Sequence, residues 1–299
     1  MNGDAPEMPV CGQPVQMQPG LVRIVAPNPS AMTHWGTNTY VLGTHDLCII
    51  DPGPDDPVHL AALLAHIDGR RVSHIVVTHS HLDHSGLSAA LSRATGARVL
   101  AFGHSSAGRS AVMSAFDHAT GGEGVDHAFA PDRTLPDGAV LAGPDWQLSV
   151  LHTPGHMSNH ICLQWNNVIF SGDLVMGWAS SMVSPPDGDL TDFRASCRRL
   201  AAVEAARLYP GHGAPVLDPA ARIGWLLNHR MAREAQILAA LAQGPQTVAA
   251  LTATVYTDTP PALHPAAARN VLAHLVDLVG RNLVTATPVL RADAVFART

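Results

Sequence analysis

The sequence predicts an α/β protein of two similar halves followed by a small helical module, and three observations carry that expectation. Short apolar runs rich in Val, Ile and Leu alternate with stretches whose apolar residues recur at helical spacing. That alternation occurs once before about residue 131 and again after it. From Asp218 onward the strands give way to three helices and an apolar, β-branched tail. At 299 residues, 46% apolar and 14% charged, the chain can bury one sizeable core and a smaller one.

A Pro- and Gly-rich leader over residues 1–20 is expected to be disordered or extended, with a first domain over 21–217. Its opening strands, 21–25, 39–42 and 47–50, are separated by turn residues and form a meander. Asp51-Pro52-Gly53 ends the third, and residues 58–67 set Leu60, Leu63, Leu64 and Ile67 at helical spacing. A strand at 72–77, a helix at 87–95 and a strand at 98–102 continue the pattern. Between 103 and 143 the signal is weak, with one helix around 110–118 among turn residues. Strands resume at 147–151, 161–165 and 168–170, the last two joined by a hairpin turn at Asn166-Asn167. A helix at 192–207 and a strand at 208–209 close this domain. The C-terminal domain, 218–299, carries helices at 218–242, 247–255 and 265–281. In the last of these Pro265 suits a first turn, and Val271, Leu272, Leu275, Val276 and Val279 form an apolar stripe. With the tail from 283 to 296 this fits a winged-helix module; a packing lid or a dimerisation unit is the alternative.

Composition excludes several classes of function. A net charge of −6 gives no general attraction to a polyanion, and the absence of lysine among the 18 basic residues reads as a bias of composition. Cys11, Cys48, Cys162 and Cys197 show no pairing pattern, so reduced thiols are expected. The first residues show neither a basic start nor an apolar segment, and no apolar run is long enough to span a bilayer. The expectation is a cytoplasmic protein without membrane contact; its oligomeric state is not legible.

The chemistry is concentrated in Thr78-His79-Ser80-His81-Leu82-Asp83-His84-Ser85-Gly86, directly after the apolar run Ile75-Val76-Val77. Imidazole and carboxylate together suit a borderline divalent ion such as zinc, with iron or manganese as alternatives. On spacing alone, a histidine-rich surface loop remains open. Three further motifs repeat one design: His152-Thr153-Pro154-Gly155-His156, Phe170-Ser171-Gly172-Asp173 and Tyr209-Pro210-Gly211-His212. In each an apolar strand runs out, glycine permits a tight turn, and a His or Asp follows beyond the strand's carboxyl end, where α/β sheets place their sites. Singly, His156 or His212 is more often structural; together the motifs offer five histidines and two carboxylates. Seven ligands exceed the need of one tetrahedral ion and argue for two metals, with Asp173 bridging. His79, His81 and His156 then complete one ion, and Asp83, His84 and His212 the other.

This ligand pattern resembles the metallo-β-lactamase superfamily, and specifically its dinuclear hydrolases. Asn28-Pro29 with Gly36-Thr37-Asn38-Thr39-Tyr40, residues 153–160 and residues 184–189 resemble the subgroup named for β-lactamase-like protein 2, over essentially residues 20–299. Met157 stands where that subgroup commonly has Thr, away from any ligand. The resemblance implies an αββα sandwich with a dinuclear site at one edge of the sheets, a C-terminal winged helix, and the seven ligands named above. It argues against antibiotic hydrolysis, since true β-lactamases of this fold lack the bridging carboxylate that Asp173 supplies.

A metal-bridging hydroxide is the expected nucleophile, oriented by Asp83, because coordination lowers the pKa of water to about 7. Asp51 is a candidate to hydrogen-bond a ligating histidine. His160 either donates a proton to the leaving group or is structural. Residues 174–187, with Trp178 and Met182, are expected to border the substrate pocket, packing being the alternative. The resemblance implies cleavage of single-stranded RNA, guided by the winged helix. From Asp218 the chain has seven Arg against five acids, a small basic footprint, and the third helix is expected to present Arg269, Asn270, His274 and Arg281, with Asp277 among them, away from its stripe. The other hydrolase reading is a glyoxalase-II-like hydrolase of small-molecule thioesters or esters, and a third is a nucleic-acid-binding module with a vestigial metal site.

Overall fold

Strands buried on both faces need a layer on each side, and the first half supplies several. In the computed structural model, which describes residues 8–116 and 122–299, β1 (Val15–Gln18), β2 (Leu21–Val25), β3 (Asn38–Leu42) and β4 (Asp46–Ile50) form the expected meander. The chain then switches to parallel pairing through β5 (Arg71–Val76), β6 (Arg98–Ala101) and β7 (Arg133–Thr134), giving a seven-stranded sheet in sequence order. The second sheet has the order β12-β11-β10-β9-β8, from β8 (Val140–Ala142), β9 (Gln147–His152), β10 (Ile161–Trp165), β11 (Val168–Gly172) and β12 (Arg207–Pro210). Its hairpin turns at Asn166-Asn167, where Asn166 takes the left-handed backbone (φ 53°) that asparagine tolerates.

The main core lies between the sheets, where Tyr40, Ile50, Val76 and Leu100 meet Val150, Leu163, Phe170 and Tyr209. Helices α1 (Pro57–Ile67) and α3 (Ser88–Thr95) cover the outer face of the first sheet, with Leu63, Ile67 and Leu91 on Ile49, Ile75 and Val99. Asp56 caps α1 by accepting the His59 N–H at 2.8 Å, and Pro57 starts it. On the far side α5 (Leu190–Ala201) lays Phe193 and Leu200 on Ile169 and Leu208. The layers are thus α-β-β-α, and the two halves divide between β7 and β8.

Behind them, α6 (Pro219–Leu241), α7 (Val248–Val255) and α8 (His264–Gly280) join a sheet of order β13-β15-β14, from β13 (Gln246–Thr247), β14 (Val284–Thr287) and β15 (Val295–Arg298). Three helices with a small sheet make a winged-helix architecture. Its core also takes in Met113, from α4 (Ala111–Ala115), and Phe116, so an excursion of the first domain is sealed into the second.

Several expectations are corrected. The stretch expected as leader holds β1, paired antiparallel with β2. The helix expected over 192–207 starts at Leu190, capped by Asp189, and stops at Ala201. The Ala206 N–H instead bonds to Asn167 O at 2.7 Å, turning the chain into β12 as parallel partner of β11. The helix expected at 110–118 covers Ala111–Ala115, and positions 117 and 118 lie outside the described residues. A one-turn α2 (Leu82–Ser85) precedes α3.

Most of the polar side of α8 does not face outward; of the four residues expected there, Arg281 alone is exposed. His274 is fully buried, Asn270 accepts from Arg230 Nη1 at 2.8 Å, and Arg269 pairs with Glu123 of the first domain. Asp277 is buried and accepts from Thr191 Oγ1 (2.6 Å) and Arg194 Nη1 (2.8 Å), both on α5, and from Arg281. Removing this carboxylate leaves Arg194 with Glu234 as its one remaining carboxylate among the described residues and takes the acceptor from Thr191, so Asp277→Ala should cost about 1–3 kcal/mol in a denaturant unfolding measurement.

Candidate metal centre

Four segments end at one edge of the sandwich: residues 79–84 after β5, His156 after β9, Asp173 after β11 and His212 after β12. All seven predicted ligands meet there. His79 Nε2 lies 3.0 Å from His81 Nδ1, and His156 Nε2 lies 3.1 Å from the same atom. Three imidazole nitrogens so converged match the edge of a tetrahedron around zinc, about 3.3 Å for bonds of 2.0–2.1 Å. Beside them His212 Nε2 lies 3.2 Å from Asp83 Oδ2 and 3.3 Å from His84 Nε2. Asp173 stands between the groups, with Oδ2 3.4 Å from His212 Nε2 and 3.7 Å from His156 Nε2, and Oδ1 3.5 Å from His84 Nε2. Asp173 Oδ1 is buried without a hydrogen-bond donor. An orphaned carboxylate oxygen among imidazole nitrogens is what a cation site requires, so the residues fit a divalent metal.

Four of the five candidate ligand rings, those of His79, His84, His156 and His212, are aimed by a contact on their far side. Asp51 does this for His84, taking its Nδ1–H at 2.9 Å, as expected from sequence. The same carboxylate accepts the Thr78 N–H (2.7 Å) and Oγ1–H (2.8 Å), and Thr78 Oγ1 lies 3.0 Å from His79 Nδ1. His156 Nδ1 donates to Met182 O at 2.7 Å and His212 Nδ1 to Gly36 O at 3.2 Å. Thr37 Oγ1 donates to Asp83 Oδ2 at 3.2 Å. Thr37, Thr78, Gly36 O and Met182 O were not identified as supports from sequence; a backbone carbonyl leaves no side-chain signal. Backbone packs tightly as well: a Cβ on Gly211 would lie 2.4 Å from Asp173 Oδ1 and 2.5 Å from His84 Cε1.

His160 does not fit the expected proton donor. It is fully buried, its Nε2 accepts the Asp173 N–H (3.2 Å), and its Nδ1 lies 2.9 Å from Thr153 Oγ1. Burial and the neighbouring His156 hold it neutral, well below the ordinary imidazole range. It positions the backbone of Asp173 instead. Trp178 and Met182 do line the approach, in a cavity of about 180 Å³ that also reaches His156 and Asp173. A second opening of about 380 Å³ exposes His81, Asp83 and His212 and is walled by Leu263, Ala266 and Arg269 of the winged-helix domain.

The electrostatics split the site. Burial lowers His79 and His156, and burial with His156 pushes His81 down to about 3, so these rings are neutral and free to act as ligands. Burial opposes charge on His84 and His212 too, but Asp83 and Asp173 prevail, holding His84 well above its usual range and His212 at about 9. The same pairing holds both carboxylates below their ordinary range.

A family profile described as the metallo-beta-lactamase superfamily matches residues 32–212, and one described as the beta-lactamase associated winged helix domain matches 247–288. The chain belongs to the metallo-β-lactamase superfamily. Within it, the chain is 32% identical over 271 residues to a beta-lactamase-like protein 2 homolog of Drosophila melanogaster, covering 86% of this chain and 87% of the relative. It is also 30% identical over 246 residues to an atrochrysone carboxyl ACP thioesterase of Aspergillus fumigatus, covering 80% and 68%. A metallo-beta-lactamase family protein from Thermus thermophilus superposes with a TM-score of 0.76 at 28% identity, covering 95% of this chain and all of that one. Superfamily membership makes the chain a hydrolase.

Metal uptake should release protons. Without metal, the His212 proton raised from 6.5 to about 9 stabilises the folded state fully below pH 6.5, and that contribution is lost as pH rises to about 9. Thermal unfolding of metal-free protein should therefore fall over this window, and calorimetric uptake of Zn2+ at pH 7.5 should vary with buffer ionisation enthalpy.

Proposed function

We propose that the protein uses two divalent ions, zinc foremost, to hydrolyse the thioester or ester of an apolar acyl group. The observation that carries this is the wall of the approach. Met32, Met176, Trp178, Met182, Leu263 and Ala266 surround the opening, and past Trp178 a groove of about 750 Å³ continues between Pro29, Trp35 and Pro215. Such a surface takes up hydrocarbon and excludes water from the carbonyl. A polynucleotide needs a cationic track with free stacking faces. Here Arg269 is engaged by Glu123, Arg222 by the carbonyls of Met176 and Ala179, and Arg230 is buried. Of the polar residues of α8 expected to meet RNA, Arg269 and Asn270 bond to the first domain, His274 is buried, and Arg281 pairs with Glu234 and Asp277. The fungal relative named as an ACP thioesterase points to the same bond type.

In this reading His79, His81 and His156 would hold one ion, Asp83, His84 and His212 the other, and Asp173 would serve both. Bound there, the ions would supply Lewis acidity and activate water at neutral pH. Asp83, ionised and partly exposed at the mouth, would accept a hydrogen bond from the attacking water and set its direction; Met182 and Trp178 would orient the acyl chain. The three buried thiols, Cys48, Cys162 and Cys197, are unpaired and fit a reducing compartment, and we place the protein in the cytoplasm.

Zinc-loaded protein offered acyl thioesters of increasing chain length, bis-p-nitrophenyl phosphate and single-stranded RNA should turn over the thioesters, longer chains with lower KM. Nuclease activity without thioester turnover would overturn the reading. Trp178→Ala should raise KM for a long acyl chain about tenfold, ~1.4 kcal/mol, and leave a short one nearly unchanged.

A further inference from the structure

Arg230, on α6, is fully buried, yet no carboxylate hydrogen-bonds to it among the described residues. Its guanidinium lies over the Phe193 ring at 5.2 Å and donates from Nη1 to Asn270 Oδ1 at 2.8 Å and from Nη2 to Ser181 O. Burial lowers its pKa to about 10, so it is still charged at neutral pH. An interior cation without an anion costs several kcal/mol, and an apolar side chain of the same volume would be the more stable choice. Its retention calls for a task that an apolar residue cannot perform.

Its two acceptors show that task. Ser181 precedes Met182, whose carbonyl orients His156. Asn270, on α8 of the winged helix, also accepts the N–H of Val183, the residue that follows Met182, at 3.3 Å. Met182 is therefore clamped on both sides by one unit made of Arg230 and Asn270. Ser181 Oγ adds a bond to Leu174 O at 2.8 Å, tying the far end of the loop to the residue after Asp173.

We propose that Arg230 and Asn270 are positioning residues for the metal centre: through the carbonyl of Met182 they fix the His156 imidazole, making the winged-helix domain a structural part of the site. This rests on the metal reading but is independent of the substrate.

The test is a titration of the metal-free full chain with Co2+, followed by its ligand-field absorption. Arg230→Met keeps the volume and removes the charge, so its melting temperature should be held or raised. The binding step that His156 serves should weaken about 10–100-fold, the usual cost of losing a support behind a ligand, while the other step is unchanged. Asn270→Ala should weaken the same step, and Arg230→Lys, which keeps an N–H donor, should recover part of the affinity. Trp225→Ala, exposed on the same helix, sets the baseline. Should Arg230→Met fail to fold, Asn270→Ala and Arg230→Lys decide. Unchanged Co2+ affinity in the folded variants, or equal loss at both steps, would overturn the brace alone. No Co2+ binding by the unaltered chain would overturn the metal reading with it.

Discussion

Asp51 takes three hydrogen bonds at the end of β4, from the amide and hydroxyl of Thr78 and from the ring of His84. To do so it adopts a left-handed backbone, φ 52°, which costs a non-glycine residue about 1–2 kcal/mol. The three bonds offset that strain because they join the two parallel strands where they end. Through Thr78 they reach His79, and through His84 they set the first turn of α2. One carboxylate thus fixes the register of residues 78–84, from which four of the seven ligands come.

Around that anchor the site is built by exclusion of water. Neutral imidazoles are tolerated in a dry edge where a charged ring is not, whereas Asp83 and Asp173 stay ionised there only by drawing charge onto His84 and His212. The metal-free arrangement is thus a set of mutually compensating protons, and a cation replaces them with the same sign of charge. This explains how a cluster so rich in titratable groups persists in the interior.

The sequence made the ligands legible because each sits beyond an apolar strand and beside a glycine or a dense run of donors, a local signal. Asp51 was legible for the same reason, as a carboxylate closing a strand. The role of His160 was not, because whether a histidine faces a pocket or a buried amide depends on its neighbour across the turn, here Asp173. β7, β8 and the true end of α5 were missed because two- and three-residue strands and an alanine-rich helix end are decided by partners distant in sequence. The polar face of α8 misled most. Arg269, Asn270, His274 and Arg281 look outward by helical spacing; Arg281 does remain exposed, and only the docking of α8 on α5 and on the loop at 181–183 shows the other three turned inward.

The closeness of Gly211 to Asp173 and His84 has a consequence for how such a scaffold can diversify. Where strand backbone itself forms the wall of the centre, a single added methyl collides with a ligand, so the strand ends have almost no freedom to vary. Novelty in substrate must then enter through segments that touch the opening without touching the ligands: residues 29–35, the outer part of 174–187, and the start of α8. A change of client is a change of loops, with the inorganic centre inherited intact.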